Sequence, residues 1–242
     1  MRNILTQERS NPKTAKSLGR GYETAILHLS PAKTSGYQVC KFATKGCKKV
    51  CLNEQGRGGI KIADRENPIQ LARKERTRLF FEERDKFAFL LHRDITNLCN
   101  RAYKKDLKPA VRLNGTSDLP WERIPLFNGL TVLQSFPNVQ FYDYTKDPTR
   151  KFNPEPNYHI TFSLSEVNEV YALGWLSLGG NVAVVFNTKK AASLPQRWQE
   201  WPVIDGDIHD LRMLDAKTPT IIGLRAKGTA KDDVSGFVKE PN

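Results

Sequence analysis

Val182-Ala-Val-Val-Phe-Asn-Thr-Lys189 is the unit from which the fold is read. Its apolar run reads as a strand, and the polar cluster Asn187-Thr188-Lys189 closes it. The same unit recurs along the chain. Ala110-Val-Arg-Leu113 runs into Asn114-Gly-Thr-Ser-Asp118, and Val139-Gln-Phe-Tyr-Asp-Tyr144 into Thr145-Lys146. Tyr158-His-Ile-Thr-Phe162 runs into Ser163-Leu-Ser-Glu-Val-Asn168. Val203-Ile204 ends in Asp205-Gly-Asp207, and Ile221-Ile-Gly-Leu224 in Arg225-Ala-Lys-Gly228. Ala25-Ile-Leu-His-Leu-Ser30 is the earliest of these strands, and Pro31 closes it.

Helical patterns lie between the strands. From Asp64 to Lys105, apolar residues such as Leu71, Phe80, Phe87, Leu91, Ile95 and Leu98 recur at mixed three and four spacing. Pro68 suits the first turn of this stretch. Trp121 to Phe136 reads as a mixed helical segment, and Glu166 to Leu178 as a helix. Strands alternating with helices imply βαβ units and a mainly parallel sheet. About six strands are visible, fewer than the eight of a closed barrel, so the expected fold is α/β, a partial (β/α) barrel. Residues 1–22 are polar and basic and read as an N-terminal arm, loosely docked. Residues 23–242 read as a single α/β domain.

In such folds the loops after the strands emerge at one face, where sites are built. Cys40-Lys-Phe-Ala-Thr-Lys-Gly-Cys-Lys-Lys-Val-Cys51 follows the first strand and holds three of the four cysteines of the chain. Lys41, Lys45, Lys48 and Lys49 surround them and are expected to favour thiolate. Cys40, Cys47 and Cys51 are one short of a closed tetrahedral zinc site. Three thiolates and one open position suit a [4Fe–4S] cluster whose fourth iron is free. Zinc with a histidine or Cys99 as fourth ligand, or a disulfide plus a spare thiol, are the other readings. Gly56, Gly58 and Gly59 follow the triplet, either for close backbone approach or as a flexible turn.

Formal net charge is +12, from 38 Lys and Arg against 26 Asp and Glu. That excess points to nucleic acid or another polyanion as partner. No apolar stretch reaches the roughly 20 residues needed to span a bilayer, and no signal-peptide pattern opens the chain. The expected location is a reducing cytoplasm, where thiols ligate metals more often than they form disulfides. Motifs of phosphate loops, serine-hydrolase elbows and zinc deaminases are absent, and His28, His92, His159 and His209 are isolated.

The strand-end clusters supply the other candidates. Asn114, Gly115, Ser117, Asp118, Ser163, Ser165 and Asn187 are the expected cofactor contacts. Tyr144, Lys146, Glu166 and Lys227 are the expected catalytic or substrate-facing residues. Asp205, Asp207, Asp210 and Asp215 form a second acidic group, of the kind a magnesium-dependent nuclease would use.

Several stretches carry a resemblance to a known family. Ser30-Pro-Ala-Lys with the cysteine triplet, Arg112-Leu-Asn-Gly-Thr-Ser-Asp118, Phe141-Tyr-Asp-Tyr-Thr-Lys146, Tyr158-His-Ile-Thr-Phe-Ser163 and Gly180-Asn-Val-Ala-Val-Val-Phe186 resemble the phage "gene product eighty-eight" domain family. So does Asp205-Gly-Asp207 through to Lys227-Gly228. The resemblance spans roughly residues 10 to 238 and implies a phage or prophage origin and therefore a host cytoplasm. A weaker resemblance is to radical S-adenosylmethionine enzymes, which carry three cysteines on the loop after the first strand of a partial barrel. Their cysteines are separated by three and then two residues, whereas here six and then three intervene. That resemblance implies a [4Fe–4S] cluster and S-adenosylmethionine as cofactor, and the basic charge points to a nucleic acid or nucleotide-type substrate. The alternatives are a non-enzymatic nucleic-acid-binding protein stapled by zinc or iron–sulfur, and the nuclease.

Overall fold

The computed structural model describes residues 3–7, 16–216 and 218–241. Its main sheet is built from β1 (Leu5–Gln7), β2 (Tyr22–Leu27), β3 (Lys108–Arg112), β6 (Gln140–Thr145), β7 (Tyr158–Ser163), β8 (Val182–Phe186), β9 (Arg197–Trp198), β10 (Trp201–Asp205) and β11 (Ile221–Arg225). A separate small hairpin pairs β4 (Pro125–Phe127) with β5 (Leu130–Thr131). The nine strands lie in the order β1-β2-β3-β6-β7-β8-β11-β10-β9. From β2 to β10 every pairing is parallel, and β1 and β9 add antiparallel edges. The sheet is α/β, mostly parallel and open, with more strands than the six expected. β1 and β9 were missed because each is very short.

The helices are α1 (Lys45–Lys49), α2 (Pro68–Glu82), α3 (Arg84–Lys104), α4 (Val132–Ser135) and α5 (Glu169–Ser177). Pro68 opens α2, as its fixed φ and missing N–H favour. The expected single helix from 64 to 105 is instead α2 and α3, broken at Glu83 (φ −130°, ψ 61°). The bend sets Phe80 edge-on to Phe87 at 5.0 Å and to Trp121 at 5.4 Å. The segment from Trp121 to Phe136 is only briefly helical. Asn128 (φ 49°) and Gly129 (φ 84°) turn β4 back on β5, as Asn-Gly pairs do in tight hairpins. Thr131 and Gln134 then form a reciprocal capping box that starts α4.

From β2 to β8 the chain steps in one direction across the sheet, and crossovers of one hand put their helices on one face. The core shows this. Phe87, Leu91, Ile95 and Leu98 of α3, Leu133 of α4 and Leu176 of α5 pack with Leu27, Val111, Phe141, Ile160, Phe162, Val184 and Ile221 of the strands. Each such fully buried side chain contributes about 1.5–3 kcal/mol. The alternate residues, Ala110, Arg112, Tyr142, Tyr144, Ser163 and Ala183, face the other side, where among the described residues no long α-helix lies and the short turn Arg212–Leu214 packs instead. There Leu211 and Met213 pack on Ala110 and Tyr142.

Within the expected arm, β1 pairs with β2 and is tied to α3. Ile4 and Leu5 are buried, and their N–H groups donate to Asp94 Oδ2 of α3 at 2.7 and 3.1 Å. Residues 8–15 of the expected arm lie outside the described residues. Asp94→Ala leaves those two buried donors without an acceptor. It is expected to cost about 2 kcal/mol and to lower the melting temperature by about 4–8 °C. An unchanged melting temperature in calorimetry would show that this tether holds nothing.

Candidate functional site

The C-terminal ends of the parallel strands open on a cavity of about 500 Å³. Its wall includes Cys40, Cys47 and Cys51 from the loop after β2, and Arg112 and Asn114 to Asp118 from the end of β3. Tyr144 to Lys146 of β6, Ser163 of β7, and Asp207, Arg225 and Lys227 from the β10 and β11 ends complete the polar part. The strand-end rule therefore brings most of the expected residues to one place.

The cysteine loop is held from both sides. The Ser30 N–H donates to Thr77 Oγ1 of α2 at 2.8 Å, and the Asp118 N–H to the Val39 carbonyl at 2.8 Å. Thr44 caps α1, accepting the Cys47 N–H at 3.1 Å. Behind Thr44 stands Glu166. Its Oε2 accepts the Thr44 hydroxyl at 2.7 Å, and its Oε1 accepts the Gly46 N–H at 2.8 Å. Glu166 was expected to face substrate; it is instead outside the cavity wall and positions the helix that carries Cys47. Cβ atoms added at Gly58 and Gly59 would collide with the Asn53 and Glu54 carbonyl oxygens, so these two glycines let the chain pack on its own backbone, while Gly56 (φ 56°) supplies a turn with open space around it.

Burial pushes the Cys40 thiol up to about 12, opposed by a backbone hydrogen bond from Ala32. Burial also raises Cys51, opposed by a backbone hydrogen bond from Asn53. The expectation that the lysines favour thiolate is therefore overturned for these two groups. Lys41, Lys45, Lys48 and Lys49 are all exposed, where water screens them, while the sulfurs are desolvated. The same desolvation means that a cation bound at the sulfurs would be strongly favoured once they ionise.

The rim residues divide by what their side chains already do. Asn114 Oδ1 accepts from Ser117 Oγ, the Leu119 N–H and Trp121 Nε1 at 2.8–3.1 Å, and its amide donates to Leu119 O and Asp143 Oδ2. Asn114 thus builds the loop and has little left for a cofactor. Gly115 is there for packing: a Cβ would lie 2.6 Å from Ile26 and 2.8 Å from the Leu27 carbonyl oxygen. Asp118 accepts from Thr145 Oγ1 at 2.8 Å, the Lys146 N–H at 2.8 Å and Arg150 at 3.2 Å. Lys146 Nζ donates to Ser163 Oγ at 2.9 Å, inside the cavity. Tyr144 lines the cavity beneath the Arg112 guanidinium, 4.7 Å from ring centre, and burial pushes its hydroxyl up to about 12. Lys227 is on the wall but pairs with Asp207 at 2.5 Å. Ser165 is buried away from the cavity, its N–H donating to Asn168 at 2.7 Å. Asn187 is exposed and donates to Glu240 at 3.0 Å. Neither is brought to the site.

The main omission from the sequence-based candidates is Arg112. It reads as a mid-strand residue, yet it is buried on the cavity wall, 2.9 Å from Asp210. The only signal was a charged residue inside an apolar run. The acidic group that suggested a nuclease is neutralised: Asp205 pairs with Arg225 at 2.8 Å, Asp210 with Arg112, and Asp215 with Arg212 at 3.3 Å.

Among the described residues no three His, Cys, Asp or Glu side chains form a group that could hold one metal ion. Cys40, Cys47 and Cys51 are free, partly buried thiols on one cavity wall, and they do not form such a group.

In metal-free protein at pH 8, Cys40 is expected to alkylate roughly tenfold to a hundredfold more slowly than an ordinary thiol, whose pKa is about 8.5, because the loss of thiolate is partly offset by the greater nucleophilicity of a more basic sulfur. Mass spectrometry of the iodoacetamide time course checks this; an ordinary rate would mean that the sulfur is not desolvated.

No helix among the described residues is long and apolar enough to cross a membrane. No curated protein and no solved structure matches the chain. A family model does match, over residues 3–241, and on that near-complete match the chain belongs to the gene product 88 family.

Proposed function

We propose that the protein is a phage-encoded iron–sulfur enzyme of radical S-adenosylmethionine type, acting on a nucleotide-type substrate. One observation carries this reading: three thiols from the loop after the first parallel strand line a cavity at the C-terminal ends of the sheet. In this reading the seven parallel strands curve as a partial barrel around that cavity. Cys40, Cys47 and Cys51 would hold a [4Fe–4S] cluster. When bound, such a cluster supplies one-electron chemistry to the amino- and carboxylate-bearing cofactor at its open iron.

The chain's own residues do the rest. Ala32 and Asn53 give backbone hydrogen bonds to Cys40 and Cys51, and Lys146 lies close enough to Cys51 to favour its ionised form. Glu166 holds α1, and with it Cys47, against the rim of β7. The basic surface supports a polyanionic or nucleotide-type substrate. A purely structural zinc staple would need no cavity of ligand size at its side, and cavities of about 300–1,000 Å³ are the range of small-molecule sites.

Protein prepared without oxygen is expected to be brown, with about four irons per chain. Cys47→Ser is expected to lose most of that iron while the far-ultraviolet circular dichroism is kept. Under a strong reductant the brown protein should cleave S-adenosylmethionine. Colourless protein, or protein with one zinc per chain, would overturn the proposal.

A further inference from the structure

We propose that the cavity binds the phosphate group of a small phosphomonoester between Arg112 and Lys146. This deepens the enzyme reading by naming the group that anchors the substrate, and it rests on that reading only in sharing the cavity.

Strand geometry brings the residues together. Arg112 ends β3 and Tyr144 lies near the end of neighbouring β6, with Lys146 two residues on. Ser163 ends β7, the next strand. Arg112, Tyr144 and Ser163 share the sheet face opposite the long helices, Lys146 follows just past the end of β6, and all four line the cavity. Residues two apart on a strand share a face about 7 Å apart, so Lys146 sits one step further towards the rim than Tyr144.

Of Arg112, Lys146, Arg225 and Lys227, Lys146 alone has no ion pair among the described residues. Arg225 and Lys227 are engaged by Asp205 and Asp207. Lys146 instead has the neutral Ser163 hydroxyl as its partner, and lies 5.3 Å from the centre of the Phe237 ring. Arg112 is only 6% exposed, and its Nη1 donates to Asp210. Its Nε is buried with no acceptor among the described residues. A buried donor left unpaired costs about 1–3 kcal/mol, so native proteins rarely keep one without use. A planar guanidinium and a lysine ammonium are the usual partners of phosphate. A phosphomonoester carries nearly two negative charges at pH 7 and three acceptor oxygens, so it can take Lys146 as counter-charge and the Arg112 Nε–H as a hydrogen-bond donor beside the Asp210 pair. The Tyr144 and Ser163 hydroxyls add neutral donors. The volume of about 500 Å³ lies in the range of small-molecule sites and admits no duplex.

The test is calorimetric titration of the anaerobically purified full-length protein at low salt. The probes are adenosine 5′-monophosphate, adenosine, inorganic phosphate and succinate. The monophosphate is expected to bind at least tenfold more tightly than adenosine, and inorganic phosphate to displace it better than succinate. Lys146→Gln should weaken it at least tenfold while the melting temperature is kept, because this lysine makes no ion pair among the described residues. Arg112→Lys, which keeps a charge for Asp210, should also weaken it. Equal binding of nucleoside and nucleotide, no binding, or an unaffected Lys146→Gln variant would overturn the proposal. Colourless protein that binds the monophosphate in this way would sink the cluster and keep the phosphate site. Brown protein that ignores it would do the reverse.

Discussion

The buried guanidinium of Arg150 is what the rim of this molecule depends on. It lies between β6 and β7, donates to both oxygens of Glu122 at 3.0 and 2.8 Å, and reaches Asp118 at 3.2 Å. It also donates to the Tyr158 hydroxyl at 2.9 Å. Tyr158 in turn donates to Asp143 at 2.7 Å, and Asp143 accepts the Asn114 N–H at 2.6 Å. One cation thus ties the loop after β3, the end of β6 and the start of β7. Removing one partner from such a buried set costs about 3–5 kcal/mol, because the charge left behind has no water to turn to. Burial holds the Asp143 carboxyl up at about 7 even with this company.

The second constraint is one of sides. With its helices on one face, the sheet leaves the other to be covered by loops. The segment from Gly206 to Asp215 covers the half away from the rim, where Leu211 and Met213 pack on Ala110 and Tyr142. The buried Arg212 donates to the His209 carbonyl within that segment. The remaining half is the cavity, walled by the cysteine loop. A long helix laid along this face would fill that space. The position of the thiols therefore follows from the direction in which the chain crosses the sheet as much as from the cysteines themselves.

Legibility in the sequence was uneven, for physical reasons. The interior strands were readable because each is an apolar run that ends in a polar cluster. β1 and β9 were not, since three and two residues carry no period. The α2–α3 break was hidden because Glu83 is neither glycine nor proline, and the bend comes from packing Phe80 and Phe87 around Trp121. The Asn128-Gly129 turn was a local signal, but the strands flanking it are too short to show alternation. Among site residues, hydroxyls and amides at strand ends were found as a class, but their tasks were not separable. Asn114 and Glu166 have the residue types of ligand contacts, and they spend their hydrogen bonds on backbone and loop.

By itself the sequence determined the α/β class, the parallel core, and the rim on which Cys40, Cys47, Cys51, Asp118, Tyr144, Lys146, Ser163 and Lys227 gather. Those properties follow from hydrophobic period and from the rule that strand-end loops share a face, both local in the chain. Only the tertiary structure decided which of these groups remain available. Glu166 is 120 residues from Gly46, and Arg112 is 98 from Asp210. Burial and long-range pairing set the charge and freedom of a side chain, and neither is written in its neighbours along the chain.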